Sequence, residues 1–334
     1  MQQEKISIKQ IADLADVSVA TVSRIINQSG RFSRETEERV RKIMEENHYV
    51  PNMLAKGLRT SRGSTIGVII PDITGDFFSK IALEIQTGMF EAGYSTIICN
   101  TNRDAKMEKQ CLEMLRSQQV SGLVHIYRST FENPYTLDIP TIYLDTDPGQ
   151  SVRKANSRSV IIESDNEAGG YLAASELIRK GCRKIAVMMS DRNYTHLERY
   201  EGYRQALDEA GIPVDESLIM HVDTVSIEAG CRAMQDFWKE RKADGIFCMN
   251  DSFAIGTLRA MNQMEIKVPE QFKIIGYDAS AILEAANPPV TTILQPYQKM
   301  GKLAVMLLVD MMNGKYPRKR EYVMPVKLMK RKST

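Results

Sequence analysis

Apolar positions change their period once along this chain. From Ser7 to Asn47 they recur at helical spacing, and nothing there alternates as a strand would. Ser7-Ile-Lys-Gln10 has the form of a capping box, which predicts a first helix with Ile8, Ile11, Ala12 and Ala15 along one face. After a short turn, Asp16-Val-Ser18, Ser18 is placed to cap a second helix from Val19 to about Asn27. Ser33 caps a third that runs to about Asn47, with Glu35, Glu37 and Glu38 near its positive N-terminal end. Val22 and Ile26 are expected to face the bundle. Between Pro51 and Gly63 the pattern fades into the polar run Arg59-Thr-Ser-Arg-Gly63, read as a linker. Pro51-Asn52 can open a short helix through Leu58, but Gly57 costs it up to ~1 kcal/mol against alanine and leaves it marginal.

From Thr65 onward, β-branched apolar runs alternate with amphipathic segments, the signature of βαβ units and parallel sheets. Strands are expected at Thr65 to Pro71, Ser95 to Cys99, Gly122 to Tyr127, Pro140 to Asp145, Lys184 to Met189, Gly245 to Met249 and Lys273 to Tyr277. The alternation restarts at Asp165 after a helix rich in Ala and Gly, so two similar lobes are favoured over one sheet of a dozen strands.

Composition narrows the possibilities. The net charge is only +2, yet residues 1 to 63 hold eleven Lys and Arg against eight Asp and Glu, so the whole basic excess lies at the N-terminus. That is the footprint of a nucleic-acid-binding head on a neutral body. Cys99, Cys111, Cys182, Cys231 and Cys248 are odd in number and scattered, as expected of reduced thiols in a cytosolic protein. No signal peptide or membrane span is apparent, and a cytoplasmic location without membrane attachment is expected. The four histidines (His48, His125, His196, His221) are dispersed, and no G-x-G-x-x-G, H-E-x-x-H, G-x-S-x-G or Walker sequence occurs. No catalysis, metal or cofactor is expected.

Helix, tight turn and second helix in this spacing suit a helix-turn-helix that lays its second helix in the DNA major groove. Val19, Ala20, Ser23, Arg24 and Asn27 would share the outer face, small apolar groups for thymine methyls and one Arg for guanine or phosphate. Lys9, Ser18, Thr21, Arg31 and Ser33 would flank them against the backbone. A structural three-helix bundle with a solvated polar face is the competing account. The sequence Ile8-Lys-Gln-Ile-Ala-Asp-Leu-Ala-Asp-Val-Ser-Val-Ala-Thr-Val-Ser-Arg-Ile-Ile-Asn27, then Tyr49-Val-Pro-Asn-Met-Leu-Ala-Lys-Gly-Leu-Arg59, resembles the head and hinge of the LacI/GalR family of bacterial transcription regulators. The resemblance continues through Thr65-Ile-Gly-Val-Ile-Ile-Pro-Asp72, Asp165-Asn-Glu-Ala-Gly169, Asn250-Asp251, Ile275-Gly-Tyr-Asp278 and Thr291-Thr-Ile293, nearly the whole chain.

The resemblance implies that Val19, Ala20 and Arg24 read bases. It places Asn52, Ala55 and Leu58 in the hinge, with Leu58 as the wedge that a pair of hinge helices inserts at the centre of a near-palindromic operator, and so implies a homodimer. Gly57 departs from the family's usual helix former, which makes hinge folding more dependent on DNA. It implies a small all-α helix-turn-helix head (1–50), a hinge helix and linker (51–63), and an α/β body (64–334) of two periplasmic-binding-protein-like lobes with parallel sheets and helices on both faces. Lobe one is expected at about 64–163 plus 296–322, and lobe two at about 164–293 plus 323–330.

Polar residues that follow strands are the informative ones in such sheets. Asp72, Asp145, Asn250, Asp251 and Asp278 each end an apolar run, and Arg199 lies in a helix after a strand. Their carboxylates, amide and guanidinium suit a polyhydroxylated ligand, with Phe77 and Phe78 against its apolar face. Each acid also has an ordinary reading as an N-cap, Asp251 above all. In family register Phe77, Phe78, Asp145, Arg199, Asn250 and Asp278 match effector-pocket positions. Val225 stands where the family often has an aromatic. The implied function is a repressor of a carbohydrate-utilisation operon, controlled by a sugar or sugar derivative. The rival is a global catabolite-type regulator whose signal is a partner protein.

Overall fold

The computed structural model describes residues 6–26, 30–47, 49, 65–126, 137–146, 158–190, 193–240 and 242–334. Contacts divide the chain into two compact units, Met1–Ser64 and Thr65–Thr334.

The first unit holds α1 (Ile8–Leu14), α2 (Val19–Ile26) and α3 (Arg34–Glu46). The capping box forms as the sequence dictates. The Ser7 amide donates to Gln10 Oε1 at 2.7 Å, and the Gln10 amide donates back to Ser7 Oγ at 3.3 Å. Ser18 Oγ accepts from the Thr21 amide at 3.0 Å and Ser33 Oγ from the Thr36 amide at 3.1 Å, so both predicted caps satisfy N-terminal amides that a helix leaves unpaired. The turn after α1 passes through Asp16 at φ 50°, a left-handed conformation that Asp tolerates better than most residues. Ile11, Ala12, Ala15, Val22, Ile25 and Val40 form the core. The inward position at the end of α2 is therefore Ile25; Ile26, assigned to it from the sequence, is only half-buried. The 3.6-residue period from Val22 falls between them, so both touch the core and Ile25 is the one fully buried.

The second unit contains two six-stranded sheets among the described residues, with strands β1 (Thr65–Ile70), β2 (Ser95–Asn100), β3 (Gly122–Ile126), β4 (Thr141–Leu144), β5 (Ser159–Ser164), β6 (Ile185–Met189), β7 (Ile219–His221), β8 (Gly245–Cys248), β9 (Lys273–Tyr277), β10 (Thr291–Leu294), β11 (Glu321–Met324) and β12 (Lys327–Met329). Their orders are β2-β1-β3-β4-β5-β11 and β7-β6-β8-β9-β10-β12. Every pair is parallel except β10 with β12. Each sheet thus reverses its order beside its first strand, the switch point whose carboxyl end forms a ligand crevice in open α/β sheets.

Helices cover both faces. Ile66, Val68 and Ile70 of β1 pack with α4 (Asp76–Glu91) and α11 (Tyr297–Met312), while Ile69 packs with Leu112 and Leu115 of α5 (Ala105–Ser117). In the second lobe Val187 and Met189 meet α6 (Asn166–Arg179) and α7 (Tyr194–Glu209). Ala186 and Met188 meet α8 (Ile227–Glu240) and α9 (Asp251–Gln263). Strand alternation sends successive side chains to opposite faces, so these near-continuous apolar runs are what a sheet buried on both sides requires.

The chain crosses between the lobes after β5, after β10 and after β11. Because β11 pairs with β5, residues 323 and 324 belong to the first sheet and not to the second lobe as the boundary at 323 had it. The second lobe also continues past 330: Ser333 is fully buried and donates from Oγ to the Ile274 carbonyl. Two crossings are tied together, Ser164 Oγ donating to Gln295 Oε1 at 2.6 Å in buried surroundings. The pairing of α6 and α7 depends on glycine. A Cβ on Gly170 would strike the Arg199 carbonyl oxygen and one on Gly202 the Glu167 carbonyl oxygen, so the helices touch backbone to backbone.

Candidate functional site

The two sheets present their carboxyl ends to a shared cavity of about 330 Å³. All six residues read from the sequence as effector contacts, Phe77, Phe78, Asp145, Arg199, Asn250 and Asp278, line it. They arrive on the first turn of α4, the second turn of α7, the N-cap of α9, and the residues just after β4 and β9. Two of these strand ends are backbone outliers, Asp145 at φ 52° and Asp278 at φ 116°. Non-glycine residues in the left-handed region cost on the order of 1–3 kcal/mol and persist where the surroundings over-determine them, often at binding sites.

Arg199 is buried at 3% exposure and rigidly held. Its Nε donates to Asn166 Oδ1 at 2.9 Å, its Nη1 donates to the Met249 carbonyl at 2.6 Å, and the guanidinium lies over the Tyr277 ring 3.6 Å from its centre. Asn166 in turn donates to Glu198 Oε2 at 3.0 Å and accepts from the Tyr277 hydroxyl at 3.3 Å. Around this cation the acids are pushed upward by burial. Asp278 is raised to about 8 by desolvation, opposed by Arg199 and aided by Asp251 and Asp145. Asp251 is raised to about 6, again by desolvation, and Asp145 and Glu198 are raised for the same first reason. Asp278 Oδ1 accepts from Gln295 Nε2 at 2.6 Å, which extends the hinge contact of Ser164 into the cavity.

The cap reading of the strand-end acids is settled position by position. Asn250, not Asp251, caps α9, its Oδ1 accepting from the Phe253 amide at 2.9 Å. Asp251 is the first helical residue and takes the Ser280 amide at 2.6 Å and Thr292 Oγ1 at 3.1 Å, a structural tie between loops. Asp278 caps nothing: Ser280 holds that place before α10 (Ala281–Ala285). Asp72 closes its own turn, accepting from the amide and hydroxyl of Thr74. Three buried polar atoms of residues in the wall, Asp145 Oδ1, Asn250 Nδ2 and Ser280 Oγ, have no hydrogen-bond partner among the described residues.

Phe77 is 5% exposed and belongs chiefly to the first lobe's core; Phe78 is half-buried, edge-on to it, with the Arg103 guanidinium 5.5 Å from its ring centre. Val225 stands in the wall as expected. The sequence reading missed Arg103, His196 and Gln295, which line the same cavity. His196 accepts the Ser190 amide on Nδ1 at 3.0 Å, and burial followed by Arg199 and Arg103 keeps its imidazole well below the ordinary histidine range, hence neutral.

On the head, Ala20, Arg24, Lys9, Ser18, Arg31 and Ser33 are exposed, while Thr21 and Ser23 are half-exposed. Val19 is half-buried and packs against the head's own core, so it is less free for bases than the sequence suggested. Ser18 and Ser33 already use their hydroxyls as caps. Gly30, at φ +84°, leaves room for the Arg24 stem, whose Cδ would lie 3.3 Å from a Cβ placed there. Asn27, Asn52, Ala55, Gly57 and Leu58 lie outside the described residues.

The comparisons agree with both halves. Residues 7–52 match the model of the bacterial regulatory proteins of the lacI family, and 174–334 match a periplasmic binding protein-like domain. The chain is 33% identical over 338 residues to the HTH-type transcriptional regulator DegA of Bacillus subtilis (strain 168), spanning 99% of this chain and 98% of that protein. It is 31% identical to the HTH-type transcriptional repressor PurR of Vibrio atlanticus (strain LGP32), over 97% of each. Of solved structures it is similar to the transcriptional regulator CelR in complex with cellobiose, with a TM-score of 0.74 and 28% identity over 98% of this chain and all of that one. It shares the fold of the Lac repressor dimer bound to operator and the anti-inducer ONPF, with a TM-score of 0.84 and 24% identity over 99% of each chain. With relatives that are regulators and not enzymes along its entire length, the chain belongs to the LacI family and is a DNA-binding transcriptional regulator.

Proposed function

We propose that this regulator is a homodimeric repressor of a carbohydrate-utilisation operon, binding a near-palindromic operator through its head and a sugar-like effector in the cleft of its body. The observation that carries the effector half is the cavity wall, where a fixed guanidinium, buried carboxyls and an amide nitrogen without a partner among the described residues line one space of about 330 Å³. Hydroxyls both donate and accept, so a polyol can satisfy carboxylate and amide together. The size lies at the lower end of ligand pockets, suited to a mono- or disaccharide. The cellobiose held by CelR, a relative by structure at 28% identity, supports the same class.

For the head, Arg24 and Ala20 are assigned to the bases, with Val19 contributing from the edge of the core; Lys9, Thr21, Ser23 and Arg31 flank them toward phosphates. Asn27 would extend that face, and Asn52, Ala55 and Leu58 would form the hinge contacts. The two lobes close on the effector and so alter how paired heads engage DNA. The test is fluorescence anisotropy of the full chain on a duplex from its own upstream region, with a panel of mono- and disaccharides, their phosphates and purine bases. A sugar that shifts specific affinity several-fold, with unrelated duplex staying weak, supports the proposal. Specific binding that a purine alone moves, or that only a protein partner moves, overturns the sugar assignment.

A further inference from the structure

Charge on the body is close to balanced, thirty-three Lys and Arg against thirty-four Asp and Glu beyond residue 63, but it is not evenly spread. We infer that the turn from Lys315 to Arg320 in the first lobe is a second DNA-contact surface, meeting the phosphates of the duplex that flanks the operator. The inference rests on the operator half of the reading above and is independent of the effector.

The turn joins α11 to β11 and reads Lys315-Tyr-Pro-Arg-Lys-Arg320, four cations in six residues with no acid among them. All four are exposed. Lys319 lies over the Tyr322 ring, 5.0 Å from its centre, and Arg320 donates from Nη1 to the Ser159 carbonyl at 3.4 Å. Lys315, Arg318 and Lys319 have no acid partner among the described residues. Because β11 pairs with β5, the turn lies beside Arg158, which is set against Asp138 at 3.8 Å. The flanking acids are Asp310, near the end of α11, and Glu321, the first residue of β11.

Topology puts this turn at the edge of the sheet where the chain arrives from the head. Every pair in the sheet is parallel, so β1 and β11 begin at the same edge. β1 begins at Thr65, the first residue after the unit that contains the head. Four strand spacings, about 19 Å, separate β1 from β11. The chain from Tyr49 to Thr65 spans at most about 55 Å when fully extended. A head bound to DNA therefore tethers this edge within reach of the same duplex, at an effective concentration that lets weak contacts add to affinity. Phosphates are met by exposed cations without a fitted pocket, and such contacts carry no sequence information.

Lys, Arg and Pro beside an edge strand also keep it from pairing with another sheet, and β11 is an edge. That role places its charges on the strand. Here β11 itself is Glu321-Tyr-Val-Met324, and the cations precede it.

The experiment is fluorescence anisotropy of the full chain on a duplex of about 20 bp centred on the operator, and on the same duplex extended by about 10 bp, one helical turn, at each end, over a series of salt concentrations. Three proteins are compared: the native chain, the turn variant Lys315→Gln/Arg318→Gln/Lys319→Gln, and a control that removes as many exposed cations from the second lobe, Arg204→Gln/Arg232→Gln/Lys267→Gln. The native protein and the control should bind the longer duplex at least fivefold more tightly at low salt. Their slope of log affinity against log salt should steepen there by roughly two or more, since each phosphate contact adds about 0.9. The turn variant should lose that gain and keep its affinity for the short duplex within twofold, with an unchanged melting transition. No gain in the native protein, a gain that survives in the turn variant, or one lost equally in the control overturns the inference. So does a turn variant that aggregates while binding both duplexes as the native protein does, which assigns the cations to guarding β11. If no upstream duplex is bound in preference to unrelated DNA, the operator reading fails, and the same three-protein comparison on an unrelated duplex decides this inference by itself.

Discussion

Replacing Asp278 by Asn should remove a specific pH dependence from the stability of the body. Burial raises this carboxyl to about 8, against about 3.9 for an aspartate in an unfolded chain. Between those values the folded state holds a proton that the unfolded state has released, so the slope of stability with pH is negative. The contribution of Asp278 is complete below the unfolded value and is lost as pH rises through about 8. From pH 7 to 9 the loss is about 1 to 2 kcal/mol, which for a unit of this size is roughly 2 to 8 °C in Tm. That window avoids two other groups: Asp251, raised to about 6, has largely titrated below it, and His196, held neutral well below the usual range, changes nothing there. Asn keeps an oxygen to accept from Gln295 Nε2 and has no proton to lose. Scanning calorimetry of the full chain at pH 7, 8 and 9 should show the body's transition falling in the native protein and nearly level in Asp278→Asn. Parallel profiles would mean that Asp278 is solvated well enough to ionise freely, and the account of a desolvated acid in the cleft would be wrong.

Other substitutions test separate links. Arg24→Ala should cost about 1–3 kcal/mol on the specific operator and relax discrimination at one base pair, measured by anisotropy on single-base variants; equal loss on all DNA would make Arg24 a phosphate contact. Gly202→Ala forces α7 from α6 and should destabilise the body by about 1–3 kcal/mol or more in denaturant titration, with ligand binding weakened because Arg199 moves with the helix. Asn166→Ala strips the acceptor from Arg199 Nε and should cost roughly 1.5–3 kcal/mol, read as a lower Tm and at least tenfold weaker effector binding; unchanged binding would show that Arg199 is positioned by Met249 and Tyr277 alone.

Much of the fold was legible where local signals are strong. Ser7, Ser18 and Ser33 announce their helices because a cap is a contact within four residues. The strands β1, β6, β8 and β9 are apolar runs buried on both faces, and their bounds move by a residue or two at most. Strands β7, β11 and β12 escaped for the opposite reason: they are short edge elements with exposed residues, and only a neighbour makes them strands. For β5 the signal was present in Val160-Ile-Ile162 and was passed over, which also displaced the lobe boundary, since β11 pairs there. In the cleft, residues that follow strands were readable because strand ends converge in any parallel sheet. Arg103 and His196 were not, since they reach the cavity from a loop and a helix face that no local pattern aims there, and Gln295 was missed because the short strand before it, β10, was not among the expected strands.

Gln295 shows why such residues matter. It is the residue after β10, at a crossing between lobes, and its amide is used at both ends: Oε1 accepts from Ser164 of a second crossing, Nε2 donates to Asp278 in the cleft. Gln295 is 1% exposed and Ser164 2%, so neither hydrogen bond can be traded for water without opening the hinge. An effector that engages Asp278 therefore acts on a group bonded to the hinge itself. A change in lobe angle must either preserve the Ser164–Gln295–Asp278 chain or break a bond in it. Linkage then works in both directions: whatever factor the effector imposes on operator affinity, operator must impose on effector affinity. What the structure supplies within the body is a short path from Asp278 to Ser164, two hydrogen bonds at 2.6 Å, by which the proposed effector would act on two of the crossings between the lobes.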